Sequence, residues 1–202
     1  MTVESLRTGI GRVLALLEAE HGMLTELDGK IGDGDLGITL LKAFRELDRI
    51  KADLPADLGQ ALMQAAAATS KVSSSSFGTL MATSFMAVAK ETRGIDNAPW
   101  SNLSGYLEKA QLAMSARGKA SLGDKTVLDA LHAVVLSIAG HDDPAICLVQ
   151  ARQAVDSALE EFRAKPNKIG RARIFAEKTI GIDDPGMVAF KVMLQALSRE
   201  TL

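Results

Sequence analysis

Asp28-Gly29-Lys30-Ile31-Gly32-Asp33-Gly34-Asp35-Leu36-Gly37 sets three aspartates within eight residues, between two stretches of helical periodicity. Before it, Leu6, Ile10, Val13, Leu14 and Leu17 recur on one face of a first helix over about 3–26. After it, Leu40, Leu41, Phe44 and Leu47 line a second helix over about 36–52, which Pro55 stops. The segment is therefore a helix-to-helix turn, and two familiar readings of it fail. Gly32-Asp-Gly34-Asp-Leu-Gly37 spells a dinucleotide fingerprint, but such a fingerprint follows a buried strand and offers bare amides to pyrophosphate. A calcium-binding loop starting at Asp33 requires glutamate at its twelfth position, where Phe44 stands. What remains is chemical. Carboxylates this close repel one another, and the glycines let the backbone curl so that they converge. A hard divalent cation offsets the repulsion. Mg²⁺ suits a few carboxylates, with phosphate oxygens and water completing its shell. A solvated acidic turn is the plainer alternative, because Asp and Gly are also ordinary turn residues.

The rest of the chain reads as helix. Nearly half of its 202 residues are apolar, yet only 4% are aromatic, and Ala, Leu and Met dominate. Six more helices are expected: an Ala-rich one over 56–69, one over about 76–92, one from the N-cap Ser101 to Arg117-Gly118, and one starting at Asp124. The last two start at Asp143-Pro144 and Asp184-Pro185, each an N-cap aspartate with proline in the first helical position. No linker-like run divides the chain, so residues 1–202 are expected to form a single domain. A net charge of −2 gives no field to recruit nucleic acid. No run reaches the ~20 apolar residues of a membrane span. Cys147 is the only cysteine, and the N-terminus lacks a signal-peptide layout, so a cytoplasmic location is expected. The methionines read as core filler, and His21, His132 and His141 as structural. Lys125 and Asp129 read as an i,i+4 surface pair.

Four polar, glycine- or serine-bearing segments stand out: 28–37, 70–79, 117–126 and 169–186. Short connections make successive helices antiparallel, so alternate loops fall at one end of the bundle. These four are the alternate loops, and they are expected to converge on one rim.

Their motifs form a set. Asp28-x4-Asp33-Gly-Asp35-x-Gly37, Arg117-Gly-Lys-Ala, Gly123-Asp-Lys-Thr126-x-x-Asp129, Gly170-Arg171-Ala and Ile180-Gly-x-x-Asp184-Pro185-Gly186 follow in this order. The chain resembles the nucleotide-binding L subunit, or L domain, of dihydroxyacetone kinases over nearly its whole length. The resemblance implies an all-α closed barrel of eight antiparallel amphipathic helices with ATP or ADP at one rim. It implies Asp28, Asp33 and Asp35 as Mg²⁺ ligands. Nucleotide contacts are implied at Gly37, Ile38, Thr39, Val72, Ser73, Gly118, Val127, Arg171, Asp184, Pro185 and Gly186. The activity implied is phosphoryl transfer to a small ketose held by a partner K-type subunit, with a phosphotransferase-system phosphoprotein recharging bound ADP in some members. Two departures accompany the match. Leu36 stands where the family usually has histidine, and Ser70, Lys71, Ser74 and Ser75 occupy a loop that is normally glycine-rich. Serine hydroxyls and Lys71 are the groups available there to replace a backbone cradle. The departures leave a second reading open, a catalytically silent subunit that senses nucleotide. A third is a helical enzyme acting on diphosphates through aspartate-held Mg²⁺.

Overall fold

A computed structural model describes residues 1–73 and 75–198. Among these, the elements are α1 (Val3–Ile31), α2 (Leu36–Ile50), α3 (Leu58–Val72), α4 (Ser76–Glu91), α5 (Leu103–Gly118), α6 (Val127–Ser137), α7 (Pro144–Arg163) and α8 (Pro185–Leu197). Three 3₁₀ segments, Lys51–Asp53, Trp100–Asn102 and Ala172–Thr179, lie between them. The described residues contain no strand, only an isolated bridge between Thr2 and Asn97. The all-α expectation holds. No described helix is long and apolar enough to cross a membrane.

Each α-helix packs on the next in sequence, and α8 returns to pack on α1, so the eight close into a ring. One large apolar cluster joins α1, α2, α3 and α8 through residues such as Leu17, Leu24, Leu40, Leu47, Ala61 and Ala189. A second joins α6, α7 and α8 around Val134, Val155 and Met187. A third, with Met114, Val127 and Leu131, seals α5 to α6. Small residues let some helices approach closely. A side chain at Gly59 of α3 would place its Cβ 2.6 Å from the Arg93 Cα, just past the end of α4.

Helix boundaries differ from the sequence reading in three informative places. α1 runs five residues further than expected, so Asp28 stands on its last turn rather than in a loop. α6 starts at Val127, not Asp124, because Thr126 and Asp129 form a capping box that fixes its first turn. Ser101 does not cap α5. It lies in the 3₁₀ segment, where its amide donates to Asp142, and Asn102 occupies the N-cap position. The two Asp-Pro starts are as read. Asp143 accepts from the Ala145 and Ile146 amides, and Asp184 from that of Met187.

Candidate metal and nucleotide site

The helix ends bring the aspartates together. Asp28 projects from the last turn of α1, Asp33 sits in the connection, and Asp35 holds the N-cap position of α2. One carboxylate oxygen of each lies within 4.8 Å of the others. Asp28 Oδ2 accepts the backbone N–H groups of Asp35, at 3.0 Å, and Leu36, at 3.3 Å. It thereby satisfies amides at the start of α2 and lies in the positive end of that helix dipole. Asp35, by contrast, makes no side-chain capping bond. A Cβ at Gly32 would fall on Asp28 Oδ1, so only glycine leaves that oxygen its place. The Asp35 carboxyl is held above its ordinary range by burial first, then by the charges of Asp33 and Asp28, while Arg171 pulls it down. This is an electrostatic load that a cation relieves. All-oxygen donors, one already oriented by backbone amides, fit a hard divalent ion such as Mg²⁺.

Across the rim, Arg171 reaches the same cluster. Its guanidinium lies 3.0 Å from Asp33, although Arg171 belongs to the segment between α7 and α8. The loops 28–37 and 169–186 therefore do converge. The starts of α4, α6 and α8 meet as well. A Cβ on Gly186 would sit 3.4 Å from Phe77 and 3.5 Å from Val127. Pro185 is buried behind it. Gly118, the last residue of α5, faces Leu80 of α4.

In the first turn of α2, Gly37 and Thr39 are buried, whereas Ile38 is exposed. Val72 ends α3, and Ser73 is its C-cap, with an amide that bonds to the Thr69 carbonyl. The Ser73 hydroxyl stays within its own turn, 3.4 Å from that of Ser75, in space that Gly78 leaves free. Ser75 caps α4. Lys71 leans toward Glu46 of α2, 3.7 Å away, so it is engaged with a carboxylate on a neighbouring helix. Ser74 lies outside the described residues.

One group was misread from sequence. Lys125 is not a surface residue paired with Asp129; it is wholly buried. Its ammonium donates to the carbonyls of Lys165 at 2.7 Å, Thr179 at 2.9 Å and Arg163 at 3.4 Å. Asp129 instead accepts from the Gly123 and Thr126 amides. Asn167, also buried, donates to the Lys125 carbonyl and to Asp184 Oδ2, each at 2.8 Å. Burial depresses the Lys125 ammonium, and the charges of Asp184 and Asp183 oppose it. No periodicity marks such a lysine, because its partners are backbone carbonyls far along the chain.

Burial also lifts the Asp184 carboxyl to about 6, against the opposing pull of its bonds from Met187 and Asn167 and the charge of Lys125. Its folded value thus lies above the unfolded one. Between pH ~4 and 6 the folded chain holds this proton and the unfolded chain does not. The contribution to stability is full below that window and is lost as pH rises through about 6. Asp184→Asn is therefore expected to lose less stability between pH 5 and pH 7.5 than the parent. Urea midpoints at several pH values check this, and parallel curves would reject it.

A family model described as DAK2 domain matches residues 30–199. The chain belongs to the DAK2 domain family. The L-subunit resemblance read from the motifs agrees with its relatives. This DAK2 chain is 32% identical, over 85% of its length and 82% of the relative's, to the ADP-binding subunit DhaL of PEP-dependent dihydroxyacetone kinase 2 from Listeria innocua. It is 27% identical to the corresponding ADP-binding subunit DhaL of Escherichia coli, over 91% of its length and 90% of the relative's. Among solved structures it is similar to the dihydroxyacetone kinase of C. freundii in complex with AMP-PNP and Mg²⁺, with a TM-score of 0.75 and 27% identity. The match covers 95% of this chain and spans a third of that enzyme, 33% of its length.

Proposed function

We propose that this chain is the Mg–nucleotide-binding subunit of a ketose kinase of the dihydroxyacetone kinase type, acting in the cytoplasm with residues 1–202 as one unit. The observation that carries the reading is the meeting of Asp28, Asp33 and Asp35 with Arg171 at one rim of the ring. Relatives that match along most of their length are ADP-binding subunits, which supports it.

Asp28, Asp33 and Asp35 would hold Mg²⁺. When bound, Mg²⁺ neutralises polyphosphate charge and supports in-line phosphoryl transfer. The chain's own residues then position and shield. Asp28 is aimed by the α2 amides it accepts. Arg171 supplies a cation beside the cluster, suited to phosphate oxygens. Gly37, Ile38 and Thr39, Val72 and Ser73, Gly118 and Val127, and Asp184, Pro185 and Gly186 line the rim as nucleotide contacts. A K-type partner subunit would dock over this rim, hold the small ketose and exclude water. ATP or a phosphotransferase-system phosphoprotein would renew the phosphoryl group.

Calorimetric titration of the chain with ADP, with Mg²⁺ and with chelator, tests the reading. Binding that disappears on chelation is expected, and equal affinity in both conditions would overturn it. With MgATP and dihydroxyacetone, the chain alone is expected to form no ketose phosphate. Adding a K-type subunit should bring turnover toward ordinary kinase rates, ~1–100 s⁻¹. Nucleotide binding without turnover in that mixture would favour the nucleotide-sensing role that Leu36 and the serine loop suggest.

A further inference from the structure

The segment from α7 to α8 is closed at its neck. Lys165 leaves α7 on one side, and Thr179 ends the 3₁₀ turn on the other. The Lys125 ammonium bonds to the carbonyls of both. Around it, the Asn167 amide donates to Thr179 Oγ1 at 2.8 Å, and the Gly181 amide to the Arg163 carbonyl at 2.8 Å. The Lys168 amide donates to the Asp124 carbonyl at 3.0 Å. Lys125, Asn167 and Thr179 are at most 3% exposed. Beyond this buried neck the arc 168–178 is open to solvent: Ile174 is 79% exposed, and the Arg171 side chain 67%.

A buried ammonium is costly, and an apolar side chain of similar size would be the cheaper filler. The backbone at Lys125 adds to the cost, with φ at 61° in the left-handed region. What the lysine provides is a charge-assisted, fully buried donor that joins both sides of the neck at once. Among the described residues no sheet pairs the two sides; the other links are the Asn167 and Gly181 bonds and the partly exposed Arg163–Asp183 ion pair. Through Asn167 the same network reaches Asp184, the N-cap of α8.

We propose that Lys125 is a positioning residue: by holding the neck closed, it sets where Arg171 meets the aspartate cluster and how the start of α8 faces the rim. This rests on the nucleotide-binding reading above. The test is Lys125→Met, which keeps the stem and removes the donor. Mn²⁺ alone, followed by its paramagnetic resonance signal, probes the aspartates, and MgADP calorimetry probes the assembled site. Lys125→Met should bind Mn²⁺ within about twofold of the parent but MgADP about tenfold more weakly or worse, in the range seen when an outer supporting partner is lost. If Lys125 acts through Arg171, the double variant Lys125→Met/Arg171→Gln should bind MgADP no more weakly than the weaker single variant. Additive losses, or unchanged MgADP affinity, would overturn the proposal. Should Lys125→Met fail to fold, Thr179→Val opens the neck more gently and is expected to act in the same direction; parental affinity in that variant would count against the proposal. Should the parent itself bind no MgADP, the nucleotide reading fails separately. Hydrogen exchange then decides: faster exchange in Lys125→Met at Asn167, Lys168 and Gly181, with α1–α6 unchanged, supports the neck, and parental exchange there overturns it.

Discussion

Asp33→Ala and Asp35→Ala are expected to lose Mg²⁺-dependent ADP binding while their metal-free forms melt at or above the parent temperature. A carboxylate here can load the cluster with charge or cap a helix, and the three aspartates divide these roles. Asp35 makes no capping bond, and its carboxyl is held above its ordinary range by burial and by its neighbours' charges. Removing it deletes a repulsion and breaks no side-chain hydrogen bond among the described residues. Among the described residues Asp33 pairs with Arg171, whose side chain is 67% exposed, and exposed pairs contribute ~0–1 kcal/mol. Losing a direct metal ligand should cost at least the ~10–100-fold that follows loss of an outer supporting partner. Asp28→Ala makes the contrast. Asp28 accepts two amides at the start of α2, so its removal should also destabilise the metal-free chain, by ~1 kcal/mol as for a lost cap. Thermal melts with chelator, beside titrations with Mg²⁺ and ADP, read both effects. A large fall in melting temperature for Asp33→Ala or Asp35→Ala would show that these aspartates are structural.

The second large effect falls on Gly37. In an ordinary helix, glycine to alanine gains ~1 kcal/mol of stability. Here the sign should reverse. A Cβ at Gly37 would fall on the backbone carbonyl of His21 and on Thr25 Oγ1, where α2 crosses α1. The obstruction is mostly backbone, so it cannot swing aside as a flexible side chain would. Gly37→Ala is expected to cost about 3 kcal/mol, the upper part of the usual range for overpacking. In a chain of this size that lowers the melting temperature by about 6–12 °C. Metal binding should suffer too, because Asp35 and Leu36 hold the amides that aim Asp28. Differential scanning calorimetry of the metal-free variant decides it. Unchanged or increased stability would show that the close approach of α2 to α1 does not require glycine at this position.

How much was legible in sequence depends on the range of the interactions. The aspartate cluster, the Asp-Pro starts of α7 and α8 and the order of the helices are local features, and local chemistry writes them plainly. The convergence of the four loops followed from the alternation of short connections, and the Arg171–Asp33 pair and the Gly186 contacts agree with it. The start of α6 was misplaced because Asp124 and Thr126 are both good caps. The capping box with Asp129 favours Thr126, while Asp124 accepts the Ser121 amide instead. The burial of Lys125, read as a surface pair with Asp129, escaped entirely. Its three acceptors are main-chain carbonyls 38 to 54 residues downstream, and carbonyls have no residue type to read.

Ring closure has a kinetic side. α8 packs on α1, the most distant helix pairing in sequence among the described residues, and the same helix starts at Pro185 and Gly186, behind its N-cap Asp184. Contacts between neighbouring helices are short-range and cheap in loop entropy, so they form early. α8 docks locally on α7, but its pairing with α1 bears the largest closure cost and is expected to come late. In that order the last event of folding would also bring Asp184, Pro185 and Gly186 to the proposed rim, and a partly folded chain lacking α8 would lack them. A ligand gripping that rim binds only the closed ring, so it should stabilise the whole chain against unfolding rather than one end of it.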